Sequence, residues 1–184
     1  MLRGNRELWA ALIVMVLITI LYGIVIYLTK NIPPAGELFG HGMGILGFIF
    51  MLLTETLYSL RKRSRSVRWG KMSMWLQLHI FTGLVGPYMV LLHTSWKFNG
   101  IAGVTTLLTI IIVFSGFIGR YIFTRIPRTV DGLEIEGSLS QEALKQARRL
   151  MALWHTIHIP IGMALFTSAF VHIGAALYYA TFLK

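Results

Sequence analysis

Apolar residues in this chain run in long blocks, broken by short polar stretches. Five blocks stand out, near 8–28, 38–60, 73–96, 101–123 and 155–181. The connections read TKNIPPAGE, RKRSRSVRWGK, KFNG and a longer piece from Thr124 to about Trp154. A helix that crosses hydrocarbon needs about 20 mostly apolar residues, because each rises ~1.5 Å through a core ~30 Å thick. Each block meets that length. The pattern predicts an all-α membrane protein: a five-helix bundle forming one transmembrane domain over residues 1–184. The first block is too long for the apolar part of a secretory signal and lacks a small-x-small cleavage site, so it counts as a span.

Inside the longest connection, Ser138 and Gln141 stand three apart as a capping box. Leu139, Ala143, Ala147, Leu150 and Trp154 then recur at helical spacing. This predicts an amphipathic cytoplasmic helix near 139–151, lying on the membrane, against a partner, or leading straight into the fifth span.

Composition agrees with the spans. Charged residues make up 13% of the 184, against about 25% in a soluble domain, and the mean hydropathy is +0.68. There is no cysteine, which excludes disulfides, thiolate-held clusters or haem, and cysteine nucleophiles from this chain. The net charge of +10 changes meaning once it is mapped. With the N-terminus inside, fourteen of the seventeen Lys and Arg fall on the cytoplasmic side, and only Lys30, Lys97 and Lys184 on the other. The positive-inside rule therefore predicts a cytoplasmic N-terminus and an external C-terminus, most simply in a bacterial cytoplasmic membrane. Anionic lipid accounts for the basic charge, and no nucleic-acid partner is expected. Trp69, Trp75, Trp96 and Trp154 fall near span ends and read as interfacial belt residues.

The candidate chemistry lies in six histidines. The third span carries His79 and His93, and the fifth carries His158 and His172; both pairs are fourteen residues apart. Fourteen residues are almost four full turns, so each pair shares a face with about 21 Å between its members. Odd-numbered spans run the same way through the membrane. His79 should therefore match His158 in depth, and His93 should match His172. Two facing imidazole pairs can each hold one haem iron by both axial positions. Zinc fits less well, because two histidines per level leave its tetrahedral shell short. Gly83 and Gly86 on the third span, and Gly162 and Ala169 on the fifth, are small residues on the histidine faces that would let a flat macrocycle approach.

The paired His-x13-His on two parallel spans resembles the di-haem transmembrane cytochromes b. The cytochrome b core of quinol–cytochrome c reductases and the membrane domains of ferric reductases and NADPH oxidases share that pattern. The use of spans three and five is especially similar to the ferric-reductase-like group. The likeness covers about 37–181 and carries over His79, His93, His158 and His172 as ligands. It implies two b-type haems, electron transfer across the bilayer, and a place as one subunit of a larger oxidoreductase complex. No flavin or NADPH domain follows Lys184, so a quinol or quinone pool and a separate cytochrome, iron–sulfur protein or flavoprotein are the expected partners. Two alternatives stay open. One is a stand-alone ferric or oxygen reductase fed by a flavoprotein. The other is a haem-free membrane anchor whose histidines meet only side chains.

Five further residues complete the candidates. Arg120 and Arg125, at the end of the fourth span, are placed to pair with haem propionates or to anchor the helix at the interface. Glu55 is an acid within an apolar span, suited to proton delivery at a quinone site or to pairing with Arg61. His41, in a glycine-rich run with Gly40, Gly44 and Gly47, could serve a quinol or sit in a packing seam. His155 could serve a quinone, a proton or a propionate, or simply lie at the interface.

Overall fold

The structure, a computed structural model, describes residues 5–63, 70–125 and 140–182. Among these residues five helices appear: α1 (Arg6–Thr29), α2 (Leu38–Arg63), α3 (Met72–His93), α4 (Gly100–Arg125) and α5 (Gln141–Phe182). All five are long and apolar enough to cross a membrane. Their large apolar side chains stay mostly exposed on the outer faces, as with Leu12, Ile13, Val16, Leu17 and Ile20 of α1. Lipid-facing residues behave this way, because hydrocarbon gives a leucine no reason to hide.

The helix ends follow from local chemistry. α1 stops at Lys30, whose backbone turns left-handed (φ 57°), and Pro33 and Pro34 then prevent its continuation. α3 ends in a tight turn through Ser95 and Trp96, both left-handed (φ 50° and 62°). The Ser95 hydroxyl donates to the Pro33 carbonyl at 2.6 Å, tying two connections together at that end of the bundle.

Of the arrangements the sequence leaves open for the amphipathic segment, the structure shows the one that leads straight into the fifth span, as one helix of 42 residues. No glycine or proline falls between Gln141 and Ile159, so nothing interrupts the backbone ladder. At ~1.5 Å per residue, α5 is about 63 Å long, twice what hydrocarbon requires. Its first turns carry Lys145, Arg148 and Arg149. The observed cap is Ser140, whose Oγ accepts from the Ala143 backbone N–H at 3.2 Å; Ser138 and Leu139 lie outside the described residues.

The helices meet in the order α1–α3, α3–α2, α3–α4 and α4–α5. The closest seam is α2–α3, where glycines interlock. A Cβ on Gly47 would meet the Gly86 carbonyl oxygen at 2.9 Å, and a Cβ on Gly86 would meet the Gly47 oxygen at the same distance. Small residues let membrane helices approach this closely. Val85, Met89 and Leu92 of α3 are buried with Ala11 and Tyr22 of α1 and Met43 of α2. By contrast, no Cα of α5 comes within 8 Å of α3. These two helices face each other without packing backbone to backbone.

One buried ion pair links the first helix to the fourth. Arg120 donates to Glu7 Oε1 at 2.7 Å and to Asn5 Oδ1 at 3.1 Å. The Glu7 side chain is 1% exposed and that of Arg120 16%. A carboxylate that deep in an apolar bundle requires its cation.

Candidate functional site

The four span histidines come together in two levels across the α3–α5 gap. His158 lies near His79, and His172 near His93. The two levels are set by fourteen-residue spacings on both helices, about 21 Å apart.

What holds the α3 rings was not visible in the sequence. His79 Nδ1–H donates to the backbone carbonyl of Thr54 at 2.9 Å, and His93 Nδ1–H donates to that of Gly40 at 2.8 Å. Both acceptors are on α2, and they too are fourteen residues apart. A carbonyl can only accept, so each ring carries its proton on Nδ1, and Nε2 bears the lone pair. This is the arrangement by which metal-bound histidines are oriented. A hydroxyl relay reinforces the first contact: Thr54 donates to Thr82 Oγ1 at 2.7 Å, and Thr82 donates to the Leu78 carbonyl at 2.8 Å.

The α5 rings are held differently. His158 Nδ1 lies 2.9 Å from Ser115 Oγ on α4. Trp154 stacks on the His158 ring, with centroids 4.5 Å apart and planes 28° apart, and its indole N–H donates to the Ser115 carbonyl at 2.7 Å. Trp154, read from the sequence as a belt residue, thus also has partners within the bundle, where its indole both stacks and donates. The His172 ring makes no hydrogen bond among the described residues.

Glycines make room for these rings. A Cβ on Gly44 would meet the His93 ring at 2.8 Å, and one on Gly119 would run into the Trp154 indole. Gly83 and Gly86, expected beneath a macrocycle, serve α2 instead. A Cβ on Gly83 would meet Thr54 Cγ2 at 3.3 Å, and one on Gly86 would meet α2 backbone. The reason is that the histidine face of α3 is also its α2-facing side, as the two carbonyl contacts show. Gly162 keeps open space, since a Cβ there would find only Ile112 Cδ1 at 3.9 Å. Ala169 is buried. Between the two levels, Phe48 of α2 meets Phe166 and Phe170 of α5, with ring centroids 6.3 and 5.5 Å apart.

The remaining candidates separate. His41 is exposed and stands edge-on to His93, centroids 6.3 Å apart and planes at 85°. Glu55 is exposed and near enough to His79 for their charges to interact. His155 lies against Trp154, centroids 4.8 Å apart. Arg120, expected at a propionate or as an interfacial anchor, donates through Nε and Nη2 to the buried Glu7 carboxylate and through Nη2 to Asn5. The Arg125 side chain and all of Trp69 lie outside the described residues.

Among the described residues no group of three or more acidic or imidazole side chains could hold a metal ion by itself. Each level offers two imidazoles, half of a zinc shell but the full axial set of a bis-histidine haem. The residues therefore fit a b-type haem at each level. Comparison with known proteins found no matching family model, no matching curated protein and no matching solved structure, so the geometry carries the functional argument by itself.

Proposed function

We propose that this chain is a membrane-embedded di-haem cytochrome b that passes electrons across the bilayer as a subunit of a larger redox complex. The observation that carries the reading is the pair of α2 carbonyls, Thr54 and Gly40, that hold the proton of His79 and His93 on Nδ1 and leave the lone pair on Nε2, the tautomer an Nε2 ligand needs. The separation of α3 from α5, with no Cα pair within 8 Å, supports it, since helices joined through a haem do not pack backbone to backbone. In this reading His79 and His158 hold one haem, and His93 and His172 hold the second. When bound, each haem would supply a one-electron centre held by two histidines, suited to electron transfer rather than oxygen binding. Ser115, Thr54 and Gly40 orient the rings, and Gly44 and Gly119 give them space. Glu55 beside one level and His41 beside the other are the groups placed to exchange protons with a quinone. A quinol pool would serve one side, and a cytochrome, iron–sulfur protein or flavoprotein the other. The membrane is the bacterial cytoplasmic one, with the N-terminus inside.

The test is a reduced-minus-oxidised visible spectrum with a pyridine haemochrome count on the purified chain or its complex, corrected for partner haems. Two b-type haems per chain with sharp low-spin bands are expected. A folded chain without haem would return the histidines to structural service and favour the membrane-anchor alternative. Haem reduction by quinol, compared with reduction by a flavoprotein, separates a quinol-linked subunit from a reductase fed from solution.

A further inference from the structure

The two levels are not held alike, and the difference centres on α4. One residue, Ser115, meets both Trp154 and His158: its carbonyl takes the indole N–H, and its hydroxyl meets the imidazole. Trp154 in turn covers the face of the same imidazole. Gly119, one turn further along α4, is the space into which the indole fits. At the other level, His172 has no such support among the described residues.

We propose that Ser115, braced by Trp154, is the positioning residue for His158, and that this makes the His79–His158 level the lower-potential of the two. The inference rests on the di-haem reading above. An imidazole that ligates through Nε2 carries its proton on Nδ1, so His158 donates to Ser115 Oγ. An acceptor on that N–H raises the basicity of the ring. A more basic ligand favours oxidised iron and lowers the potential. At this level both rings have acceptors, the Thr54 carbonyl and the Ser115 hydroxyl. At the other level, among the described residues, only His93 has one, the Gly40 carbonyl. With haem held at both levels, one electron would pass downhill from the His79–His158 level, which would be oxidised, to the His93–His172 level, which would be reduced. On the charge distribution of the connections, that direction is from the cytoplasmic side outward.

Anaerobic potentiometry of the purified chain or complex, followed optically after the haemochrome count, tests this. Two one-electron steps are expected. Ser115→Ala should raise the lower step and leave the upper one in place, while Ser115→Thr, which keeps the hydroxyl, should hold the original value. Trp154→Phe, which keeps a stacking ring but loses the donor to Ser115, should move the same step in the same direction. It also carries the test if Ser115→Ala sheds a haem. In His93→Ala the single surviving step should be the lower one. A shift of the upper step in Ser115→Ala, or survival of the upper step in His93→Ala, overturns the assignment. Two unmoved steps in both the Ala and Phe variants overturn the positioning role. A haem count of zero in the parent chain fails the di-haem reading instead, before any potential is read.

Discussion

The His79–His158 level and the His93–His172 level share spacing, residue type and parent helices, yet they are built from different materials. On α3 the supports are the same: one helical carbonyl of α2 for each ring, fourteen residues apart. On α5 they diverge. His158 has a hydroxyl, a stacked indole and a glycine pocket, all involving α4. His172 is itself half-buried and lies near His93. Equal spacing along two helices thus fixes depth, whereas the orientation of each ring depends on whatever the third helix offers at that depth.

The strongest way to break this comparison is to remove one ligand from each level. His158→Ala should abolish one haem and His172→Ala the other, each leaving about half of the parent haemochrome signal per folded chain. The expected pairs are loss of the same spectral component in His79→Ala and His158→Ala, and of the second in His93→Ala and His172→Ala. If His79→Ala and His172→Ala removed the same component, the pairing by depth would be wrong.

Next in size is the ion pair at one end of the bundle. Arg120→Ala leaves the Glu7 carboxylate buried without its cation, and breaking a buried pair this way costs about 3 kcal/mol. Thermal unfolding in detergent should show a clear drop. Glu7→Gln with Arg120→Met should recover much of it, because removing both charges removes the desolvation cost. Since Arg120 donates to Glu7 and Asn5, the haem spectrum of surviving folded protein should be unchanged. A selective loss of one haem in Arg120→Met paired with Glu7→Gln would restore the propionate role that the sequence suggested.

Much of the architecture was legible before any coordinates. Hydropathy marks lipid-length helices well, because the bilayer leaves few other options for backbone polar groups. The four histidines were legible because a fourteen-residue repeat on two spans constrains both face and depth. The ring supports were not. Thr54 and Gly40 act through backbone carbonyls, which every residue has, so no residue type signals them. Glu7 and Arg120 are 113 positions apart, and pairing over that distance comes from the bundle. Trp154 fits an interfacial belt by position, and only the neighbouring Gly119 hints that an indole turns inward there. Gly83 and Gly86 were legible as small residues on the correct face, but a face of α3 serves two neighbours, and the sequence does not say which one takes the space.

A smaller effect should follow from glycines on the α2–α3 side, and here the levels can be compared directly. At the His93 level, Gly44→Ala would place a methyl at 2.8 Å from the ligand ring, too close for the ring to keep its bond to Gly40. At the His79 level, Gly83→Ala would meet only the Thr54 side chain, at 3.3 Å, where a few tenths of an ångström suffice. Overpacking a fitted site costs about 1–3 kcal/mol, and Gly44→Ala should fall in that range, with the loss concentrated in the haem component that His93→Ala removes. Gly83→Ala should cost less, since alanine also gains about 0.5–1 kcal/mol over glycine in a helix. Gly42→Ala, which points into open space two residues from Gly44, controls for the helix-propensity gain alone. Thermal unfolding and the reduced spectrum of the three variants decide the matter. Equal, small effects in all three would mean that His93 can move without penalty, and that the Gly40 carbonyl does not hold it.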